Sequence, residues 1–394
     1  MIDLSKFLSA LLGVAFVGMV FTSCESEQSP TTDKTKLWPA FKYDKEDGER
    51  KYGYINSKGE WAIQPIYNEV STFSDGVAPV ATYNEEKDEY VYSYIDKKGN
   101  PVGSFAYADQ HYCGLAVASY DDDMYGFVDA SATFKISPMY EDVYAFSDDL
   151  AKYYDETADD YGFLNKKGES EIPAIKLAMY DGVSSFSEGL ARVYMDEKCG
   201  FINKKAELEI PALYDWASSF SDGLAIYRMG ERYGFIDKKG DQKIIAQYDD
   251  ADVFFEDGLA PVEQNGRWGF INKKGEMKIQ PMFEYAYPFC EGMALVWMKD
   301  KCGFINTKGD IVIPAIYDSA NEFFHNGLVF VYKEDETSET YMYINKKGET
   351  IWQEVIEYDY EEEEDDYYSI SKLKAKEERK GEKPNNHYTL GGKR

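Results

Sequence analysis

The chain has 394 residues, with 72 Asp and Glu against 43 Lys and Arg, which gives a formal net charge of -29 at pH 7. Proteins that bind nucleic acid or anionic lipid need clustered Lys and Arg, so this charge argues against both kinds of partner. The length allows one large core, or two or three ordinary domains.

The first residues form an apolar segment that differs from the rest of the chain. Residues 7–21 are almost entirely apolar, a run too short for a comfortable bilayer span and within the length of a signal-peptide core. The following Thr22-Ser23-Cys24, with Phe21 in place of the usual leucine, resembles the lipobox of bacterial lipoproteins. The resemblance implies a signal peptide over residues 1–23, acylation of Cys24 and a flexible tether over residues 24–37. The alternative is a membrane anchor that is never cleaved, or an apolar helix.

The residue after the cysteine bears on the destination of such a lipoprotein. It is Glu25, not the Asp that commonly retains lipoproteins in the inner membrane of enteric bacteria. We therefore expect an outer-membrane lipoprotein of the cell envelope that contacts the membrane through its lipid. Whether it faces the periplasm or the cell surface stays open.

One phrase, aromatic-Gly-aromatic-apolar-Asn/Asp-Lys-Lys-Gly, recurs nine times in strict or loose copies. Taking the second residue of each copy as its marker, successive markers lie 33 to 40 residues apart. The markers are Gly53, Ser93, Gly126, Gly162, Gly200, Gly234, Gly269, Gly303 and Met342. A period of this length is typical of a tandem-repeat architecture, and we assign residues 38–356 to one repeat domain.

A second phrase, Phe-Ser-Asp/Glu-Gly-Leu-Ala, precedes the marker, and its glycine lies 11 residues before the marker in four consecutive copies. This constant distance predicts a hairpin. In one copy the dipeptide Asn265-Gly266 separates two apolar segments and favours a two-residue turn. The segment 272–275, Asn-Lys-Lys-Gly, then predicts a turn closed by glycine. Each repeat is therefore predicted to be a three-stranded antiparallel meander.

An aromatic residue recurs after the third predicted strand, in most copies just beyond a proline that removes a ladder donor. These residues are Tyr67, Tyr140, Tyr214, Tyr248, Phe283 and Tyr317. Because one repeat cannot bury its own apolar face, we expect them to pack between neighbouring repeats. A row of aromatics that stacks on sugars is the alternative.

These phrases resemble the WG repeat family, whose Trp-Gly pair is intact here at Trp268-Gly269. The resemblance covers roughly Trp38 to Trp352 and implies an all-β fold without catalytic residues to transfer. We expect the meanders to form an open superhelical solenoid, with β-propeller-like closure as the alternative.

The sequence offers no catalytic constellation, so we expect a protein that is not an enzyme and has no cofactor or metal site. The histidines His111, His325 and His387 are interpreted as isolated surface or loop residues. The serines Ser74, Ser187 and Ser221 occupy equivalent positions and are interpreted as hydroxyls that cap their turns. The cysteines Cys113, Cys199, Cys290 and Cys302 lack zinc-site spacing, and Cys199 and Cys302 are expected to be small buried residues. Disulfides stay possible.

Three repeats carry insertions in the same predicted hairpin loop, at residues 83–90, 155–160 and 333–339. They are expected to project from one edge and to form the contact surface for a partner. The candidate contact residues are Tyr83, Asp88, Tyr90, Asp155, Asp159, Asp160, Lys333 and Asp335.

The favoured function is a scaffold that binds protein or peptide partners. The alternative is capture of glycans, and an enzyme assembled from several repeats is a distant third. Residues 357–394 form a charged tail of expected low order.

Overall fold

The computed structural model describes residues 36–46, 48–121 and 123–358. In these described ranges nine small antiparallel sheets follow one another along the chain, and each contains one of the nine markers. The predicted signal peptide, Cys24 and the tail beyond residue 358 lie outside the described residues. Within the described ranges, the structure contains no helix with the length and hydrophobicity needed to cross a bilayer.

The strands of the nine sheets are as follows. Sheet 1 contains β1 (Trp38–Tyr43), β2 (Arg50–Ile55) and β3 (Trp61–Tyr67), and sheet 2 contains β4 (Glu69–Val70), β5 (Val77–Asn84), β6 (Glu89–Asp96) and β7 (Pro101–Phe105). Sheet 3 contains β8 (Tyr107–Ala108), β9 (Ala116–Ser119), β10 (Tyr125–Val128) and β11 (Phe134–Tyr140), and sheet 4 contains β12 (Leu150–Asp155), β13 (Asp160–Asn165) and β14 (Ser170–Ile172). After the short 3-10 helix Ala174–Lys176, sheet 5 contains β15 (Gly182–Val183), β16 (Leu190–Met195), β17 (Lys198–Asn203) and β18 (Leu208–Tyr214). Sheet 6 contains β19 (Trp216–Ala217), β20 (Leu224–Met229), β21 (Arg232–Asp237) and β22 (Gln242–Tyr248). Sheet 7 contains β23 (Asp250–Ala251), β24 (Leu259–Gln264), β25 (Arg267–Asn272) and β26 (Met277–Phe283). Sheet 8 contains β27 (Tyr285–Ala286), β28 (Met293–Met298), β29 (Lys301–Asn306) and β30 (Ile311–Tyr317), and sheet 9 contains β31 (Ser319–Ala320), β32 (Leu328–Glu334), β33 (Ser338–Asn345) and β34 (Thr350–Glu357).

The hairpin turns form where the sequence predicts them. Asn265 and Gly266 both have positive φ, 54° and 73°, as a two-residue turn between β24 and β25 requires. Gly275 has a φ of 76°, and its N–H donates to the carbonyl of Asn272. The predicted three-stranded meander is therefore confirmed. Most sheets also contain a two-residue first strand, which the sequence analysis did not predict.

The marker glycines are required by a close approach of two strands. A Cβ on Gly269 would lie 2.5 Å from the carbonyl oxygen of Ile279 and 2.7 Å from the nitrogen of Pro281. In this part of the sheet Trp268 pairs with Phe283 and Phe270 pairs with Ile279, so three residues of β26 bulge over the single Gly269. A side chain at the marker has no room beneath that bulge.

Sheet 2 shows how a residue other than glycine is accommodated at the marker. Tyr92 pairs with Phe105 and Tyr94 pairs with Val102, so only two residues of β7 stand opposite Ser93. The shorter bulge explains why this repeat departs from the family phrase.

Where a cysteine stands before the marker, a large aromatic residue stands opposite it on the neighbouring strand of the hairpin. Cys199 pairs with Tyr194, and Cys302 pairs with Trp297. Where Trp268 stands before the marker instead, its partner on the second strand is Glu263. A small residue therefore faces a large ring. Cys199 and Cys302 are fully buried free thiols, as predicted, and burial raises the pKa of Cys199 to about 11 and that of Cys302 to about 12.

Apolar side chains fill each interface between neighbouring sheets. The recurring aromatics predicted to pack there are buried, Tyr140 only partly. A second aromatic, from the Phe-Ser-Asp-Gly phrase, packs edge-on against the preceding sheet, as Phe220 does against Phe201 with ring centroids 4.9 Å apart. The packing interpretation of the recurring aromatics is therefore confirmed.

Serine hydroxyls connect neighbouring sheets. The Oγ of Ser187 donates to the carbonyl of Phe220 at 2.8 Å, and the Oγ of Ser221 donates to that of Phe254 at 2.7 Å. Ser74 makes the same bond to His111. The expectation that these hydroxyls cap their own turns was wrong, because each one satisfies a carbonyl of the next sheet.

The sheets close into a ring. One continuous apolar cluster contains residues of sheets 9, 1 and 2, including Tyr341, Phe41 and Val80. Across this closure the indole N–H of Trp38 donates to the carbonyl of His325 at 2.8 Å, and the N–H of Tyr43 donates to the carboxylate of Glu354 at 3.0 Å. The chain is a nine-bladed β-propeller, so the closed form stated as the alternative is the one adopted, and the open solenoid is not.

The close approach at the marker generates a stability prediction. The variant Gly269→Ala should lose about 1–3 kcal/mol of unfolding free energy, because the added methyl overlaps the backbone of β26. Gly182→Ala is the matched control, since a Cβ there meets no atom within 4 Å. Urea unfolding followed by circular dichroism measures both. Equal stability of the two variants would contradict the explanation of the marker glycine.

Candidate functional site

The three long hairpins connect β5 to β6 in sheet 2, β12 to β13 in sheet 4 and β32 to β33 in sheet 9. All three therefore project from the same end of the ring, which we call the hairpin face. The sequence analysis correctly placed these insertions in one loop of the repeat. Their role in binding stays a prediction.

The hairpins of sheets 2 and 4 share one design. Tyr83 and Tyr90 form an edge-to-face pair with centroids 5.2 Å apart, and Tyr154 and Tyr161 form a similar pair at 5.5 Å. In each hairpin the hydroxyl of the first tyrosine donates to an aspartate of positive φ, Asp88 or Asp159. These hydrogen bonds raise the pKa of Tyr83 and Tyr154. Asp155 accepts the N–H of Thr157 within its loop, and Asp160 pairs with Asp155 across the hairpin.

The hairpin of sheet 9 differs because a cation of the same chain occupies it. The guanidinium of Arg50, from sheet 1, lies over the rings of Phe41 and Tyr341 at 4.8 and 4.7 Å from their centroids. It also donates to the Tyr341 hydroxyl at 2.7 Å and lies 3.8 Å from Glu339. Lys333 pairs with Thr340 on the exposed edge of the hairpin, and Asp335 organises the loop tip by accepting the N–H groups of residues 337 and 338.

On sheets 5 to 8 the hairpin face is charge-paired. The first residue of the third strand is cationic there and pairs with a carboxylate at the start of the next sheet, 17 residues later. The pairs are Lys198 with Asp215, Arg232 with Asp249, Arg267 with Glu284, and Lys301 with Asp318.

Sheets 2 to 4 lack that pairing. The positions that correspond to the four cations, two residues before each marker, are Val91, Met124 and Asp160, and the residues directly before the markers are Tyr92, Tyr125 and Tyr161. The adjoining hairpins are rich in carboxylates and expose tyrosine rings, with Tyr120 63% and Tyr90 42% exposed. We call this surface the acidic–tyrosine patch. It consists of Tyr83, Asp88, Tyr90, Tyr120, Asp121, Tyr144, Tyr154, Asp155, Asp159, Asp160 and Tyr161.

A lysine is held inside the patch at interface 4/5, where sheet 4 meets sheet 5. Lys152 occupies a position that is apolar in most other sheets, and its ammonium lies 4.0 Å from the ring centroid of Tyr144 and 4.5 Å from that of Tyr161. Asp142 accepts the Tyr161 hydroxyl at 2.8 Å and attracts the ammonium. Burial nevertheless lowers the pKa of Lys152.

Sheet 3 contains two enclosed polar groups, the fully buried His111 and the half-buried Asp109. His111 replaces the recurring Phe, is 1% exposed, and packs edge-on against Tyr94 at 4.8 Å. Neither of its ring nitrogens has a hydrogen-bond partner. Burial lowers the pKa of His111 and raises that of Asp109. His111 lies in a loop, as interpreted from the sequence, but its side chain is buried and not on the surface. Aligning it with Phe73 and Phe146 was the signal that could have placed it in the core.

Within the ranges that the structure describes, no group of three or more His, Cys, Asp or Glu side chains is arranged to hold a metal ion. His325, at the serine position of the phrase, is a partly exposed loop residue, as interpreted from the sequence, and its Nε2 lies 2.9 Å from the side-chain amide of Asn326. Cys24, His387 and the acidic segment 361–364 lie outside the described residues.

Comparison with known proteins identifies the repeat. A family model described as "WG containing repeat" matches residues 52–84, 125–154, 161–199, 200–233, 233–268, 268–302 and 303–336, which is more than half of the chain. No curated protein matches this sequence.

Several solved structures share parts of the architecture. BamB from Moraxella catarrhalis aligns at 10% identity over 74% of this chain and 96% of its own, with a TM-score of 0.37. Hsv2 from Kluyveromyces lactis aligns at 6% identity over 62% and 94% of the two chains, with a TM-score of 0.36. A quinonprotein alcohol dehydrogenase-like protein from Bacteroides thetaiotaomicron aligns at 10% identity over 71% and 82%, with a TM-score of 0.31. At this level of similarity, nothing about the partners or activity of those proteins transfers to this chain.

The unpaired histidine generates a prediction about acid stability. His111→Phe should raise the unfolding free energy by about 1–3 kcal/mol, because Phe buries no unsatisfied nitrogen. The folded-state pKa of His111 lies below its unfolded value, so its neutral form is required, and stability falls as pH drops through the unfolded value of about 6.5. The gain should therefore grow from neutral to acidic pH in urea titrations. The reverse variant, Phe146→His, should show the opposite pH dependence, and equal slopes for both variants would refute the explanation.

Proposed function

The chain belongs to the WG containing repeat family, and from that premise we propose that it is a lipid-anchored scaffold of the cell envelope that binds a basic segment of a partner protein. The observation that carries the proposal is the uneven charge of the hairpin face. Each of sheets 5 to 8 pairs a carboxylate with the cation at the start of its third strand, whereas the described residues of sheets 2 to 4 have no cation at that position and place carboxylates beside exposed tyrosine rings.

Carboxylates and tyrosine faces together suit lysine and arginine side chains. A cation over an aromatic ring gains about 0.5–1 kcal/mol at an exposed site, and a carboxylate nearby adds Coulomb attraction. The chain itself uses this combination twice, for Arg50 and for Lys152. The patch spans three adjacent sheets, so an extended segment could contact several such places at once.

Glycan capture is the second candidate. It is supported by Tyr120, whose ring is 63% exposed, stacks on Phe105 with an interplanar angle of 21° and also contacts Phe134. The recurring repeat aromatics do not support it, because they are buried between sheets. Glycan binding would therefore depend on the tyrosines of the patch.

Neutralising the sheet 4 hairpin tests the first candidate. The triple variant Asp155→Asn, Asp159→Asn and Asp160→Asn keeps side-chain shape, and it should weaken binding of a lysine- and arginine-rich peptide about tenfold at low salt. The double variant Asp196→Asn and Glu197→Gln in the short hairpin of sheet 5 is the matched control and should bind nearly as the parent does. Calorimetry at two salt concentrations measures both effects. Equal losses in the two variants would indicate nonspecific attraction to the net charge, and binding of neutral oligosaccharides instead would favour the second candidate.

The anchor has its own test. Cys24→Ala should abolish incorporation of labelled lipid and release the protein from membranes, whereas Cys302→Ala, at a buried thiol, should leave both unchanged. Protease treatment of intact cells then distinguishes the surface from the periplasmic face. Label retained in Cys24→Ala would exclude acylation at this cysteine.

A further inference from the structure

At interface 4/5, two tyrosine rings and a carboxylate surround the ammonium of Lys152. Interface 3/4, between sheets 3 and 4, also contains two tyrosines and a carboxylate, but the position that corresponds to Lys152 is not a lysine. The correspondence follows from backbone hydrogen bonds. In sheet 4 the N–H of Tyr144 donates to the carbonyl of Lys152, and in sheet 3 the N–H of Asp109 donates to the carbonyl of Val117. Val117 therefore occupies the lysine position, and Asp109 occupies that of Tyr144.

The other two groups correspond as well. Tyr125 stands before its marker glycine as Tyr161 does, and Tyr107 occupies the position of Asp142. One tyrosine and the carboxylate have exchanged places between the two interfaces. The resulting ring pairs are alike, with centroids 5.6 Å apart for Tyr107 and Tyr125 and 5.9 Å apart for Tyr144 and Tyr161.

The carboxylate at interface 3/4 has no cation of its own. In the described part of the chain Asp109 forms no ion pair, and Oδ1 accepts the N–H of the adjacent Gln110 at 2.6 Å. Burial raises its pKa, and the Asp109 charge adds to the burial that raises the pKa values of Tyr107 and Tyr112. The carboxylate thus lies among phenol rings, yet its side chain is only half-buried and can be reached from solvent.

We propose that Asp109, Tyr107 and Tyr125 form a binding site for a primary ammonium group, supplied by a lysine side chain of the partner protein. Lys152 between Tyr144, Tyr161 and Asp142 is the internal template for the bound state. The identity of the lysine donor rests on the proposed function, but the ammonium site itself depends only on interface 3/4.

The experiment uses n-butylammonium as a lysine side-chain mimic and follows the Asp109 carboxyl carbon by NMR in the full chain. Binding should lower the pKa of Asp109, because a neighbouring cation favours the carboxylate. Sodium chloride at equal ionic strength and uncharged n-butanol should leave that pKa nearly unchanged. Asp109→Asn should weaken butylammonium binding about tenfold, the loss of one charge-assisted contact. An equal response of Asp109 to butylammonium and sodium chloride overturns the proposal.

Two further variants test the correspondence between this site and the Lys152 site. Val117→Lys should supply the cation from within, lowering the pKa of Asp109 and removing its response to butylammonium. Lys152→Val should empty interface 4/5 and create a second site, detected as new chemical-shift changes at Tyr144 and Tyr161. No new changes in a folded Lys152→Val chain would count against the template, and an unaltered Asp109 response in folded Val117→Lys would do the same.

The outcomes separate this site from the proposed function. If the basic peptide fails to bind while butylammonium still shifts Asp109, the proposed function falls and the ammonium site stands. If the peptide binds through the sheet 4 hairpin while Asp109 ignores butylammonium, only the ammonium site falls.

Discussion

The passage of a bulged strand over a residue without a side chain determines the shape of each sheet. At Gly269 the neighbouring backbone comes so close that even a methyl group would overlap it. The extra residues of the bulge turn the last strand, so that the aromatic at its end, such as Phe283, enters the interface with the next sheet. The three-residue bulge recurs in sheets 1, 3, 5, 6, 7 and 8, and the sheets pack each against its successor and bring the last sheet to the first.

Features that depend on local chemistry could be predicted from the sequence. The turn at Asn265-Gly266 follows from residues that tolerate positive φ, and the buried aromatics follow from their recurrence. Closure could not be predicted, because it depends on contacts such as that of Trp38 with His325, which lie 287 positions apart in the sequence. An open and a closed array have the same local sequence. Small differences in the rotation between sheets decide between them.

In the candidate site, too, some features could be predicted from the local sequence and others could not. The inserted hairpins could be recognised because the repeat defines what is extra. The exchange of Asp109 with a tyrosine could not, since it becomes visible only when positions are matched by hydrogen-bond register. The buried His111 was missed because histidine was assessed by its spacing from other histidines and not by the Phe that it replaces. In a repeat protein, departures from the shared phrase carry the individual chemistry, while the phrase itself builds the framework.

Closure through the first sheet also constrains how the chain can fold. Sheet 1 buries Trp38 and Phe41 against residues of sheet 9, which leave the ribosome or an export channel some three hundred residues later. Until then the two ends of the growing array each expose an apolar surface, and both surfaces become buried when the ring closes. Contacts over so long a separation form late, since the loop entropy must be lost before they contribute. Partly made chains are thus open to pairing with one another, end to end, and a chaperone that covers an apolar sheet would be most needed during that interval.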